Sequence, residues 1–83
     1  MAILGYRPPM AAAHRLSEED LRILHNIELR MGELQLTGLT VAGQAGIAPT
    51  TWYRRWHNPG KFTLDELGGV ADVLRCTVAD LVS

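Results

Sequence analysis

Apolar residues recur at spacings of three and four over residues 18–34, which is the period of an amphipathic helix. Ser17 precedes this stretch as a helix cap, and Asp20 stands at the third helical position, where an acid closes a capping box. We therefore predict a first helix that ends by Gln35 and serves mainly to pack. Its predicted inner face consists of Leu21, Leu24, Ile27, Met31 and Leu34.

The small residues between positions 37 and 57 indicate two short helices that cross at a tight turn. Gly46 can take the positive φ that such a turn favours. Ala42, four residues earlier, is small enough to let two backbones approach, and Ile47 would fill the space beneath the turn. Helices joined in this way cross at roughly 90–120°.

Start signals place both helices of this motif. Thr37 caps the first, predicted over residues 38–45, and Pro49 suits the first turn of the second, which should end near residue 57. The second helix carries two tryptophans four residues apart, which share one face that we predict to be buried. The tryptophans are Trp52 and Trp56, and the polar residues that face elsewhere are Thr50, Tyr53, Arg54 and His57.

Two more helices follow a loop at residues 58–60. Thr63 and Glu66 form a capping box, and Thr77 and Asp80 repeat this signal before a last short helix. No alternating run is long enough to predict a strand. The sequence therefore predicts an all-α domain of five helices over residues 16–83. The predicted inner face of the fourth helix consists of Leu64, Leu67, Ala71 and Leu74, with Val70 at its edge.

Residues 1–15 contain a glycine, two prolines and a run of three alanines, without a helical or strand period. We predict a flexible N-terminal arm. The arm could be a plain disordered leader, it could bind a protein partner, or Arg7 and Arg15 could reach a DNA phosphate or the minor groove. The apolar stretch at residues 1–4 is too short for a secretion signal.

The crossing motif resembles the helix-turn-helix DNA-binding domains of the phage repressor and Cro type. The likeness covers about residues 17–82 and implies a five-helix, lambda-repressor-like fold with double-stranded DNA as its partner. It further implies a phage- or prophage-like bacterial regulator that acts in the cytoplasm as a homodimer. The matching residues are Thr37, Val41, Ala42, Gly46, Ile47 and Trp52, followed by a helix that opens at Thr63.

The resemblance also implies where DNA would be contacted, because the second helix of this motif enters the major groove. Arg54 could form a bidentate contact with a guanine, whereas Arg55 and Lys61 look placed for phosphates. The complete set of predicted DNA-binding residues is Thr50, Tyr53, Arg54, Arg55, His57 and Lys61.

Three departures from the family pattern remove common contacts. Ala48 stands where a hydroxyl cap is frequent, Pro49 where a base-reading side chain is common, and Gly38 where a phosphate-binding glutamine is frequent. These departures leave a second function open, in which the fold is a protein-interaction module such as an antitoxin or a phage assembly or control protein.

The charge distribution adds to this picture, although the formal net charge is only −1. Residues 48–61 carry +3, from two arginines and a lysine without an acid, whereas residues 17–36 carry −3, from five acids and two arginines. A basic segment on an acidic body suits a groove-directed surface, although chance could also produce it in a chain of 83 residues.

No residue pattern indicates an enzyme, a metal site or a cofactor. The three histidines and the single Cys76 lack metal-ligand spacing, and the Gly60-Lys61 pair lacks the rest of a phosphate-binding loop. One cysteine excludes an internal disulfide and suits the cytoplasm. No stretch approaches the ~20 apolar residues of a membrane span, so we predict no membrane partner.

Overall fold

The computed structural model describes residues 16–83, and this part of the chain contains five α-helices and one 3-10 turn, without a strand. The predicted all-α, five-helix fold is confirmed. The predicted arm, residues 1–15, lies outside the described residues. The elements are α1 (Glu18–Leu34), α2 (Gly38–Ala45), α3 (Pro49–His57), the 3-10 turn (Pro59–Lys61), α4 (Leu64–Val73) and α5 (Val78–Val82).

Side-chain caps fix four of the helix starts at the predicted residues. In the box before α4, the Thr63 hydroxyl accepts the Glu66 N–H at 3.0 Å, and the Glu66 carboxylate accepts the Thr63 N–H at 3.0 Å. Each box satisfies backbone donors that have no partner inside the helix. The three boxes are Ser17 with Asp20, Thr63 with Glu66, and Thr77 with Asp80, and Thr37 caps α2 through the Thr40 N–H.

Three helices end in a left-handed residue, and only one of these residues is glycine. The φ values are 57° at Gln35, 77° at Gly46 and 60° at Arg75. At each end the following N–H bonds a carbonyl five residues back, as in a Schellman motif. The sequence indicated this conformation only at Gly46, because glutamine and arginine give no comparable signal.

One core joins all five helices, and its centre lies on α4. Two predicted core positions are wrong, since Leu21 is 53% exposed and Leu64 is 78% exposed. Leu21 lies about 200° around α1 from Ile23, which is buried instead. Leu64 opens α4, where Cβ atoms lean past the helix end. The buried apolar residues are Ile23, Ile27, Val41, Ala42, Ile47, Trp52, Phe62, Leu67, Val70, Ala71, Leu74 and Leu81.

Polar side chains of α1 bind the carboxyl ends of two other helices. The Arg30 guanidinium donates to the carbonyl of Leu74, at 2.7 Å from Nη2, and to that of Arg75 at 3.0 Å. The Asn26 amide donates to the Leu81 carbonyl at 3.0 Å. These bonds satisfy terminal carbonyls that lack acceptor partners within their own helices. The helix predicted only to pack therefore also fixes α4 and α5.

Two adjacent glycines of α4 should respond differently to alanine. A Cβ at Gly69 would stand 3.1 Å from the carbonyl oxygen of Ala45 in α2, whereas a Cβ at Gly68 would meet nothing within 4 Å. We expect Gly68→Ala to raise the free energy of unfolding by about 0.5–1 kcal/mol, because alanine is the better helix former. Gly69→Ala should gain less or lose stability. Equal gains in denaturant titrations would contradict the close packing of α2 and α4.

Candidate nucleic-acid interface

The turn between α2 and α3 has the predicted construction. Gly46 adopts φ 77°, Ala42 and Ile47 are both buried, and the Ile47 N–H donates to the Ala42 carbonyl at 2.8 Å. A Cβ at Gly46 would meet nothing within 4 Å, so the backbone angle, and not the space, favours glycine there. This turn sets the direction in which α3 leaves the body of the domain.

The inner side of α3 is aromatic. Trp52 is buried, stacks on Trp56 with ring centroids 5.5 Å apart, and meets the edge of Phe62 at 6.1 Å. Trp56 is half-buried against the core. The tryptophan face therefore turns inward, as predicted. The opposite side of α3 faces out and presents a stripe of residues at positions i, i+3, i+4 and i+7. The exposed residues of this stripe are Thr50, Tyr53, Arg54 and His57.

The outward stripe carries uncommitted polar groups. The Arg54 guanidinium is exposed and forms no hydrogen bond or ion pair with any residue of the range 16–83. Tyr53 is 54% exposed. The Nδ1 atom of His57 lies 2.9 Å from the Tyr53 carbonyl, so Nδ1–H donates to that oxygen and Nε2 is left for an outside partner. The stripe thus offers a cation, a hydroxyl group and a ring nitrogen.

Arg55 differs from Arg54, because its guanidinium is held by Glu66 of α4. Nε lies 2.8 Å from Oε1 and Nη2 lies 3.2 Å from Oε2, a bidentate pair in which both side chains are partly buried. Glu66 also closes the capping box of α4. The pair therefore ties α3 to the start of α4. Three guanidinium N–H groups remain, and the predicted phosphate contacts of Arg55 and Lys61 stay predictions.

Acid should destabilise the fold through this pair and through the capping box of Thr77 and Asp80. The hydrogen bond from Arg55 is the main cause that lowers the pKa of Glu66 from 4.5, and the Thr77 backbone N–H lowers the pKa of Asp80 from 3.8. A carboxylate whose pKa is lower in the folded than in the unfolded state stabilises the fold at any pH above its unfolded pKa. This stabilisation is lost as the pH falls through the folded pKa. We expect the melting temperature to drop below about pH 4.5, and less in Glu66→Gln. A flat profile in the parent would contradict this.

The N-terminus of α2 lies beside α3 and opens onto a groove of about 470 Å³. The first two amides of α2, those of Gly38 and Leu39, donate to no described residue. The capping hydroxyl of Thr37 accepts instead from the third amide, the Thr40 N–H. At α3, Ala48 provides no side-chain cap. Sequence analysis did not identify this groove. Its lining residues are Met31, Thr37, Gly38, Leu39, Trp52, Tyr53 and Trp56.

Other kinds of site have little support in the part of the chain that the structure describes. Within residues 16–83, no three potential ligands are grouped to hold a metal ion. In the same range, no helix has the length and apolar content to cross a membrane. Cys76 is half-buried, and burial raises the pKa of its thiol, which disfavours the reactive thiolate.

Comparison with curated proteins and with solved structures finds no match. Comparison with protein families finds one, to the Cro/C1-type helix-turn-helix DNA-binding domain, over residues 10–83. This match includes both helices of the crossing motif and all the predicted DNA-binding residues. Fold, exposed stripe and family match agree, and the chain belongs to the Cro/C1-type helix-turn-helix DNA-binding domain family.

Proposed function

We propose that this DNA-binding domain is a sequence-specific transcriptional regulator that places α3 in the major groove. The observation that carries the proposal is the outward stripe of α3, where the Arg54 guanidinium is exposed without a partner among residues 16–83. An α-helix fits the major groove of B-DNA, where each base pair offers a distinct set of donors and acceptors. No catalytic step is part of this function.

The exposed side chains suit different base edges. Arg54 can donate two parallel hydrogen bonds to O6 and N7 of a guanine. The methyl and hydroxyl groups of Thr50 and the ring of Tyr53 can contact thymine methyls or phosphates. His57 offers Nε2, because Nδ1 is held by the Tyr53 carbonyl. Pro49 has no N–H and its side chain carries no polar group, so base reading falls to residues further along α3.

Phosphate contacts would set the position of the domain on the duplex. Lys61 lies exposed in the 3-10 turn that follows α3. Arg55 can use the N–H groups that Glu66 leaves free. The open amides of Gly38 and Leu39 begin α2, at the positive end of the helix dipole. Together these groups would hold the DNA backbone on both sides of α3.

We propose a homodimer, because two copies would place their α3 helices about 34 Å apart on a palindromic site. The family is compatible with a phage- or prophage-like regulator that works in the cytoplasm. A second candidate function is protein binding through this fold, which the apolar groove between α1, α2 and α3 favours. The arm, residues 1–15, would be its other contact. Recovery of nucleic acid alone from a native-host pull-down would count against this alternative.

Selection of bound duplexes from a random pool, followed by titration at increasing salt, tests the proposed function. We expect one enriched motif in two inverted halves about one helical turn apart. Because phosphate contacts release counterions, log affinity should fall linearly with log salt concentration. The absence of an enriched motif would refute sequence-specific binding. An affinity that does not change with salt concentration would refute binding to the DNA backbone.

A further inference from the structure

Trp52 carries a hydrogen-bond donor that the fold does not use. The residue is only 4% exposed, yet its indole Nε1–H bonds no residue of the range 16–83. Within this range, no fully buried side-chain nitrogen or oxygen is left without a partner. Nε1 is therefore not fully enclosed by residues 16–83, and Trp52 lines the groove at the start of α2. A buried tryptophan usually pairs this N–H, so this indole N–H is available to donate to a partner from outside the domain.

The opening is at Gly38, the first residue of α2. A Cβ on Gly38 would stand 2.9 Å from Nε1 and 3.5 Å from Cε2 of Trp52. Any side chain there would collide with the indole and cover its nitrogen. Gly38 does not have a positive φ, so its backbone conformation does not require glycine. The absence of a side chain at residue 38 is therefore what gives a partner access to Trp52.

The groups around this opening are donors. The Gly38 and Leu39 amides are the first two of α2 and have no acceptor among the described residues. They lie at the positive end of the helix dipole, where anions bind. No carboxylate lines the groove that contains Gly38 and Trp52. The two amides and the neighbouring indole N–H are all donors, and phosphate oxygens are acceptors.

We propose that the Trp52 indole N–H donates directly to a DNA phosphate oxygen at the N-terminus of α2. This inference rests on the proposed DNA-binding function and adds a residue to its contact surface. Trp52 anchors α3 in the core by stacking on Trp56. One side chain would thus fix both the recognition helix and the DNA backbone. The contact carries no base information, so it positions the duplex without selecting its sequence.

Trp52→Phe removes the N–H and keeps an aromatic ring in the core. We expect about tenfold weaker binding to the selected duplex and to an unrelated one, because a phosphate contact is common to both. The slope of log affinity against log salt should stay unchanged, since a neutral donor releases no counterion. Trp56→Phe is the matched control, expected within about twofold of the parent. If the Trp52→Phe variant folds and its affinity for both duplexes stays within about twofold of that of the parent, the inference is overturned.

A second measurement does not depend on how well Trp52→Phe folds. In Trp56→Phe, the one remaining indole N–H signal in a proton–nitrogen NMR spectrum belongs to Trp52. On saturation with the selected duplex, we expect this signal to move downfield and its exchange with water to slow. An unmoved signal in the bound protein would overturn the inference. A parent that binds no duplex would instead refute DNA binding, which is a separate result.

Discussion

Replacing Arg54 by alanine is expected to lower affinity for the selected duplex by about 10–100-fold, because a bidentate arginine–guanine contact contributes ~1–3 kcal/mol of discrimination. Affinity for unrelated duplexes should fall much less, since only one charge is lost. Helix content and melting temperature should not change, because the guanidinium is exposed and forms no hydrogen bond or ion pair with any residue of the range 16–83. Fluorescence anisotropy on both duplexes, with circular dichroism of each protein, measures these effects.

Arg54→Lys is the matched variant, because lysine keeps the charge but lacks the planar fork of donors. It should retain the salt dependence and the affinity for unrelated DNA, yet lose most of the preference for the selected site. Arg55→Ala would be a poor control, because it breaks the ion pair with Glu66. If Arg54→Ala keeps the full preference, Arg54 does not read the site and the assignment of α3 residues is wrong.

Ala42→Leu is expected to lower the free energy of unfolding by about 1–3 kcal/mol, because extra methylenes overpack a closed site. Ala42 is 1% exposed and belongs to the core. For a domain of this size, the loss corresponds to a melting temperature about 5–20 °C lower. A loss of this kind in a domain with a thin stability margin should be visible in any thermal scan.

Gly43→Leu provides the matched control, since it adds a larger side chain at the next residue of the same helix. Gly43 is exposed and a Cβ there would meet nothing within 4 Å. Leucine is also the better helix former by somewhat under ~1 kcal/mol. Gly43→Leu should therefore melt at the same temperature as the parent or higher. Similar melting of Ala42→Leu and the parent would contradict close packing around Ala42.

The helix order could be predicted because local signals agree with each other. Hydroxyl caps at Ser17, Thr37, Thr63 and Thr77 mark four starts, and all four form in the structure. The burial of single positions was less predictable. The helical spacing of apolar residues predicted that Leu64 lies in the core. Its Cβ instead leans past the first turn of α4, and the side chain is 78% exposed. Burial also depends on where a residue lies relative to the end of its own helix, which the helical period alone does not contain.

Parts of the candidate site depend on contacts between residues distant in sequence. The two adjacent arginines of α3 look equivalent in the sequence, yet Glu66, eleven residues further on, holds only Arg55. Gly38 likewise looked like a missing contact, whereas the structure places it over the indole nitrogen of Trp52. Both relations arise from how α3 packs against its neighbours, so no local pattern could indicate them.

NMR mapping of the DNA-bound surface tests the central claim most directly. Amide signals of the nitrogen-labelled protein would be followed as the selected duplex is added to saturation. The largest shifts are expected at Thr50, Tyr53 and Arg54 in α3, with a second group at Gly38 and Leu39 at the start of α2. Shifts that leave α3 unaffected and cluster on another face of residues 16–83 would contradict recognition through this helix.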